Sequence, residues 1–411
     1  ADLLADQRDA ARHLVEIDDL DHAVRLVKGR GDARKQSPER LLAADASRIR
    51  TAIFLRAGDF ENALKSSTEE QAARRALLGH DDPYAAIRLA DVLIRQKKIE
   101  AAVAALKAAL AVSESIGSLP EQEACLSKLL DAIPAAEPPA FSREHLDART
   151  RLADVMLRQA DEHAASTGST DESRLLDAFH LLEGNPTGEA TTDPHAAAFH
   201  AVRAEVAVRR RDFAGAIRDL KRADSLDSRS PAHRAASAVF ALASGDDALF
   251  ELERAELLRR LQDDVPGENL FLLCCAVLLR PAAQPAQLAQ VRARLESYTG
   301  DELDSERQEF INGLLEFREG PAQWETARIW LDALRRSSEH PEIATASRLV
   351  MAMGLHRAGD PQAGSELDDG IRSCEAFLSQ TAASGSGPGS PIVWFVRLLM
   401  REAQDMVLPT R

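Results

Sequence analysis

The sequence predicts an all-α fold, built as a superhelical array of antiparallel helix pairs. Hydrophobic residues make up 45% of the chain and aromatic residues only 4%. Ala and Leu dominate the apolar set, and both are strong helix formers. No series of short segments rich in β-branched residues is visible, so strands are not expected. Four stretches also share one pattern, in which a basic residue precedes a Gly-Asp or charged pair and a small residue follows: 56–63, 95–102, 209–216 and, more weakly, 357–364.

Each repeated stretch lies between two segments with helical periodicity. Gly58-Asp59 separates one such pair, and Pro83, preceded by two Asp residues, suits the first turn of the next helix. The predicted N-terminal helices are Leu3–Glu16, Leu20–Lys28, Glu39–Ala57, Phe60–Leu78, Pro83–Gln96, Ile99–Glu114 and Leu119–Ile133. The central ones are Ser142–Ala165, Glu172–Glu183, His195–Arg211, Phe213–Leu226, Pro231–Ala243 and Ala248–Leu261. The last are Glu268–Arg280, Ala286–Tyr298, Ser305–Arg318, Pro321–Ser337, Pro341–Ala358, Gln362–Gln380 and Pro391–Val407.

Two segments rich in helix-breaking residues predict the domain organisation. Residues 134–140 read Pro-Ala-Ala-Glu-Pro-Pro-Ala, and Pro266-Gly267 closes the central block. We therefore expect helical repeats over 1–133, 142–265 and 266–411, grouped into two blocks that meet near one of these segments. Residues 381–390 are rich in Gly and Ser and are predicted to be a loop before the last helix.

The hairpin over residues 83–114 resembles a tetratricopeptide repeat (TPR). Leu89, Ala90 and Leu93 occupy the first helix as in that family, and the second helix carries Ala102, Leu106 and Ala109. Residues 197–228 repeat the scheme with Ala204, Ala207, Ala216, Leu220 and Ala223. Small residues at helix crossings let the axes approach, and larger apolar residues fill the grooves.

This resemblance implies a concave surface, lined by first helices, that binds a peptide. Carried over to this sequence, the partner-binding residues are Tyr84, Ile87, Asp91, Arg95, Glu205 and Arg209. TPR proteins that hold a chaperone C-terminus use Asn and Lys at particular groove positions. None of the four Asn residues of this sequence stands at a matching first-helix position, so that role is not expected. Arginines recur near the ends of first helices: Arg56, Arg95, Arg209 and Arg357. Two explanations are open: they bind an acidic peptide, or they are solvated residues that the helix dipole favours at a helix C-terminus.

The last predicted helix is apolar on more than one face and carries Trp394 and Phe395. One interpretation is that it caps the final repeat by packing on Trp324, Trp330 and Leu355. The other is that it binds a partner or a second copy of the chain, and Trp394 and Phe395 are therefore also candidate partner-binding residues.

The charge distribution argues against nucleic acid as a partner. The formal net charge is −15, which opposes binding along a phosphate backbone. Charge is nevertheless uneven, with a local +4 over residues 197–234 and a local −6 over residues 296–320. These segments are either ordinary solvated helix faces or complementary docking surfaces. The longest apolar run, Leu270–Leu279, is too short for a membrane span.

The sequence offers no catalytic, cofactor-binding or metal-binding residues that we would assign. It has no phosphate-binding Gly-rich loop and no nucleophile or metalloprotease motif. The cysteines lack metal-ligand spacing, and His195 and His200 lie five positions apart, which separates them on a helix. The acidic segment 301–306 lacks an EF-hand pattern, and the tripeptide at residues 30–32 fits a turn.

We therefore expect a non-catalytic scaffold or adaptor that binds a protein or peptide partner. A homo-oligomer and a multi-subunit complex are both left open. One alternative is the regulatory or docking region of a larger signalling protein, such as a kinase or a transcription regulator. Another is an all-helical hydrolase, which would need a pocket where carboxylates converge. The expected compartment is the cytoplasm, with the periplasm and secretion left open.

Overall fold

The computed structural model describes residues 38–133, 143–169, 171–184, 194–227, 231–263, 267–281, 284–298, 303–383 and 390–408. These residues form α-helices joined by short connections, with one 3-10 turn, and contain no strand. The predicted all-α class is confirmed. The predicted helices Leu3–Glu16 and Leu20–Lys28 and the tripeptide at 30–32 lie outside the described residues.

The chain divides into two compact units, residues 1–135 and 136–411. The described helices of unit 1 are α1 (Pro38–Ala57), α2 (Phe60–Leu78), α3 (Pro83–Arg95), α4 (Ile99–Ser115) and α5 (Leu119–Ala132). Each packs against the next along the chain, and α3 also contacts α5.

Unit 2 contains the remaining thirteen described helices. They are α6 (Arg143–Thr167), α7 (Glu172–Leu181), α8 (Pro194–Arg209), α9 (Phe213–Leu226), α10 (Ala232–Ala243), α11 (Asp247–Arg260), α12 (Gly267–Leu278), α13 (Pro285–Ser297), α14 (Ser305–Glu319), α15 (Trp324–Ser337), α16 (Pro341–Arg357), α17 (Ala363–Ala383) and α18 (Pro391–Val407). The described helices match the predicted segments closely; the predicted start at Pro321 is a 3-10 turn that leads into α15.

The repeated sequence pattern corresponds to one turn geometry. In six turns between helices, a residue with φ between +60° and +82° stands directly before the residue that caps the next helix or leads into it. These residues are Gly58, Lys97, Gly117, Arg211, Gly245 and Gly359. Each of these residues donates its N–H to the carbonyl three residues back, and the next residue donates to the carbonyl five residues back. This is the Schellman arrangement that satisfies the last carbonyls of a helix. The Gly of each Gly-Asp pair is therefore explained by its positive φ.

The Asp of the pattern serves the following helix. Asp59, Asp212 and Asp246 accept hydrogen bonds from backbone N–H groups three residues later, at 3.2, 2.8 and 2.9 Å. These bonds satisfy N–H groups that the first turn of a helix leaves without a partner. In three hairpins, the residue four positions after the cap is an alanine with no exposed surface: Ala63, Ala102 and Ala216. A small residue at this position is expected where two helices cross closely.

The described residues of unit 2 include a large hydrophobic core with members from Ala204 to Ala403 and a smaller cluster between Leu146 and Val206. The larger core includes Leu261 and Leu270, which lie on either side of the predicted boundary at 265–266. Helix α17 contacts α6, which brings a late helix of unit 2 against its first described one. Within this unit, α18 packs against α10, α12, α16 and α17.

Candidate protein-interaction surfaces

One side of α3 carries the first group of predicted contact residues. Tyr84, Arg88, Asp91 and Arg95 recur at helical spacing on this side, and we call them the α3 stripe. Arg95 is exposed, whereas Tyr84 and Asp91 are partly exposed. Ile87, which was also predicted to contact a partner, is only 8% exposed and belongs to the core of unit 1.

The α3 stripe is supported by ion pairs on both sides. Arg88 donates to the buried Glu70 of α2, and Lys128 of α5 lies 2.9 Å from Asp91. The hydrogen bond to Asp91 also raises the pKa of Lys128. Neighbouring helices on either side of α3 therefore hold Arg88 and Asp91 in place, while Arg95 extends from the exposed end of the helix.

A buried network lies behind the stripe. Arg74 contacts Glu70, Asp82 and Asp45, each at 3.2 Å, and so joins α1, α2 and the start of α3. Asp82 additionally accepts a hydrogen bond from the N–H of Tyr84 at 2.9 Å. Because a buried charge is costly unless it is paired, the pairing makes this network a rigid base rather than a free binding site.

The predicted contact residues on α8 are used inside unit 2. Arg209 has a side chain only 4% exposed, and it pairs with Asp161 of α6 at 2.8 Å and with Glu205 at 3.2 Å. The four recurring arginines therefore have different surroundings: Arg56 and Arg95 are exposed, Arg209 is internal, and Arg357 donates to the carbonyl of Phe317 at 3.2 Å.

Helix α18 occupies the interior of unit 2. Trp394 packs edge-on against Phe213 and Phe240, with ring centroids 5.1 and 6.4 Å away. Phe395 is 2% exposed and packs edge-on against Phe310 at 6.1 Å. Five of its apolar side chains are almost fully buried: Val393, Phe395, Val396, Leu399 and Ala403. At about 1.5–3 kcal/mol for each large apolar side chain, this burial holds α18 firmly in place.

A polar contact fixes the register of α18. Arg318 of α14 donates to both carboxylate oxygens of Glu402, at 2.6 and 2.7 Å. The same guanidinium donates to the carbonyls of Leu278 and Leu279 at 2.8 Å each, and so caps the end of α12. Arg254 of α11 donates to the next two carbonyls, at 2.9 and 3.2 Å.

The two interpretations of the last helix can now be compared with its position. It does pack on α16, the helix that carries Leu355, but its aromatic contacts are with α9, α10 and α14. Trp324 instead packs on Phe317 at 6.5 Å. The sequence showed that α18 is apolar on several faces. It could not show which helices pack around α18, because these contacts join residues that are far apart in the sequence.

Three consecutive arginines mark the turn between α8 and α9. Arg209 is paired internally, and Arg210 lies 4.2 Å from the ring centroid of Phe179. Arg211 is exposed, has φ +60°, and makes no hydrogen bond or ion pair with another described side chain. Arg397 of α18 lies 5.1 Å from the Trp394 ring and likewise has no acidic partner among the described residues. The local +4 charge over residues 197–234 includes Arg211, whereas no charge pattern in the sequence marked Arg397.

The cysteines, two of the histidines and part of the acidic segment 301–306 take part in ordinary packing, pairing or capping. All four cysteines are buried and free, and burial raises the pKa values of Cys125 and Cys274 to about 12. His200 is buried and lies 3.0 Å from Asp219, and His195 lies 3.3 Å from Asp147. Of the acidic segment 301–306, residues 301–302 lie outside the described part, and Asp304 caps α14 through the N–H of Arg307 at 2.8 Å.

The described residues of unit 2 line concave regions that include an open cleft and a small cavity. An open cleft of about 410 Å³ lies between α11 and α13 and is lined by residues that include Leu258, Gln262 and Arg294. A cavity of about 70 Å³ lies beside Phe317, Trp324 and Arg357. The described His, Cys, Asp and Glu residues form no group of three or more that could hold a metal ion. Across the described helices, none has the length and apolar character needed to cross a bilayer.

Comparison with known proteins gives structural matches alone. No family model matches the sequence, and no curated protein sequence matches it. The crystal structure of the P58(IPK) TPR domain at 2.5 Å is 17% identical, covers 89% of this chain and 98% of its own, and has a TM-score of 0.23. The crystal structure of the APC/C hetero-tetramer Cut9–Hcn1 is 12% identical, covers 88% of this chain and 90% of its own, and has a TM-score of 0.28. The all-α hairpin architecture rests on the helices and turns described above.

Proposed function

We propose that the chain is a non-catalytic scaffold or adaptor subunit that binds protein partners. The observation that carries this proposal is the α3 stripe. It presents an aromatic residue and charged residues of both signs, partly exposed, on a helix held by a buried ion network. Rigid elements that display aromatic and arginine side chains are well suited to protein recognition, because little side-chain freedom is lost on binding.

The interior of unit 2 supports a narrower version of the proposal. Helix α18 covers the apolar residues around Phe240 and Phe310. These residues therefore do not require a partner peptide to shield them from water. Unit 1 then supplies the docking surface. Ile87, Arg209 and Phe395 act as internal packing or pairing residues in this proposal, while Tyr84, Asp91 and Arg95 contact the partner.

Carboxylate-reactive crosslinking in the native source, followed by mass spectrometry, tests the proposal. The choice of chemistry matters, because only 8 of the 51 basic residues are Lys and none follows Lys221. We expect a stoichiometric protein partner whose crosslinks map to acidic residues beside the α3 stripe.

Recovery of that partner should fall by about tenfold for Arg95→Glu, because the charge at an exposed contact is reversed. Arg222→Glu, at an exposed arginine of α9, is the matched control and should leave recovery unchanged. Equal recovery with both variants would remove the α3 stripe from the proposal. A catalytic activity abolished by one polar substitution in a folded protein would overturn the scaffold function itself.

A further inference from the structure

Two arginines of unit 2, the exposed Arg211 and the partly buried Arg397, lack among the described residues the carboxylate and carbonyl partners that surround several other arginines of this unit. Arg209 and Arg318 are each paired with carboxylates, and Arg254 and Arg357 donate to carbonyls at helix ends. Arg397 is partly buried, yet its guanidinium forms no hydrogen bond or ion pair with any described residue. Its cation lies over the face of Trp394, 5.1 Å from the ring centroid.

An aromatic contact brings the turn that carries Arg211 next to Trp394. Trp394 packs edge-on against Phe213 at 5.1 Å, and Phe213 begins α9 immediately after the Arg211-Asp212 turn. The neighbouring carboxylate of Asp212 is engaged in capping α9, through the N–H of Gly215 at 2.8 Å. Burial lowers the pKa of Arg397, Cys374 acts in the opposite direction, and the positive charge of Arg211 lowers this pKa further.

The backbone at Arg211 is also unfavourable for an arginine. Four of the six equivalent turns have glycine at this position, since positive φ is sterically costly for other residues. An arginine kept in that conformation, without a partner and next to a second unpaired arginine, is a local cost that binding would offset.

We propose that Arg211 and Arg397 form a binding site for a carboxylate side chain of an acidic protein segment. Two guanidinium groups can bind a carboxylate through charge-assisted hydrogen bonds. The rings of Trp394 and Phe213 provide an apolar wall, which suits an acidic residue flanked by apolar ones. The segment that connects α17 to α18, residues 384–389, contains no Asp or Glu that could satisfy the site internally.

The net charge of −15 favours a short acidic segment over an extended polyanion. A nucleic acid needs many phosphate contacts along its backbone, and this site offers only two cations. This inference deepens the proposed scaffold function, because it defines the chemistry of one partner segment. It concerns unit 2 and is therefore separate from the α3 stripe.

The test uses the full-length chain and a fluorescein-labelled hexapeptide of alternating Glu and Leu, titrated by fluorescence anisotropy. We expect saturable binding that weakens with added salt and is absent for the matching hexapeptide with Gln in place of Glu. Arg211→Gly should weaken binding by about tenfold, because one of two charge-assisted contacts is lost while the turn geometry is retained. Arg397→Gln should weaken it to a similar extent.

Lys97→Gly is the matched control, because Lys97 has the same φ of +60° in a turn of unit 1. It removes a positive charge from an identical turn and should leave peptide binding unchanged. Because Arg397 is partly buried, the result for Arg397→Gln counts only if its circular dichroism and melting temperature match those of the wild type. If they do not match, Arg211→Gly alone decides the test.

Three results would overturn the inference: no saturable binding of the Glu peptide, equal binding of the Gln peptide, or equal affinity of the wild type and Arg211→Gly. These results leave the scaffold proposal standing if a crosslinked partner depends on Arg95. Conversely, loss of peptide binding in Arg211→Gly supports the site even if no partner depends on the α3 stripe.

Discussion

At the scale of single residues, the φ angle of one turn position explains most of the repeated sequence pattern. Gly58, Gly117, Gly245 and Gly359 adopt it without strain, whereas Lys97 and Arg211 have side chains in the same left-handed conformation. The four stretches that share the sequence pattern located four of these turns and did not include those at Gly117 and Gly245. The pattern could not show that Lys97 and Arg211 share the glycine conformation, because propensity favours other residues there.

Lys97→Gly should stabilise the protein, by up to about 1 kcal/mol. The substitution relieves a left-handed backbone that costs about 1–2 kcal/mol for a residue with a side chain, partly offset by the greater freedom of glycine in the unfolded chain. Gly245→Ala, at φ +82°, should destabilise it by about 1 kcal/mol. Urea unfolding of both variants checks the signs, and a loss of stability in Lys97→Gly would contradict this account of the turn.

His233 should make stability depend on pH. Burial lowers the pKa of His233 below its ordinary value, although Asp227 and Asp224 act in the opposite direction. The unfolded chain therefore binds this proton more readily than the folded one, and stability falls as the pH drops below about 6.5.

Replacing His233 with Gln should reduce the loss of stability between pH 7.5 and pH 5.5, as measured by urea unfolding at both values. His356→Gln, at an exposed histidine, serves as the control and should behave like the wild type. An identical pH dependence for His233→Gln and the wild type would show that burial of this ring does not matter for stability.

At the scale of elements, the helices were predictable and the neighbours of α18 were not. Periodicity, proline at helix starts and Gly-Asp pairs are local signals, so they mark where helices begin and end. The pairing of Glu402 with Arg318, 84 residues away, depends on how the whole unit folds. The same limit applies to the candidate contacts: spacing placed Tyr84, Asp91 and Arg95 on one side of α3, but it could not show that Arg209 and Phe395 are internal.

Glu402→Gln should destabilise unit 2 by about 3 kcal/mol. The Arg318 side chain has no exposed surface, so loss of the carboxylate leaves a buried charge with carbonyl partners alone. Glu325→Gln is the matched control, because its pair with Arg328 is exposed, and it should cause no measurable change. Thermal unfolding distinguishes the two variants, and equal melting temperatures would mean that Glu402 does not anchor α18.

At the scale of the whole molecule, the cores define the units. Residues 1–135 and 136–411 each form a compact unit, and the larger core of unit 2 joins residues on both sides of position 266. Pro266-Gly267 resembles a linker in sequence because proline and glycine interrupt a helix whether or not the core ends there. The division of the C-terminal region at 265–266 stays a prediction that fragments can test.

Fragments 1–135 and 136–411 should each unfold cooperatively when expressed alone, whereas 142–265 and 266–411 should not. Cutting at residue 266 separates α10 from α18, and so exposes the rings of Phe213, Phe240 and Trp394 to water. Each large apolar side chain that becomes exposed costs about 1.5–3 kcal/mol. Several of them together cost much of the free energy of unfolding of a typical domain. Near-ultraviolet circular dichroism and urea unfolding report the outcome. A cooperative transition for 266–411 alone would mean that α18 does not need α10, and that the predicted third domain is independent.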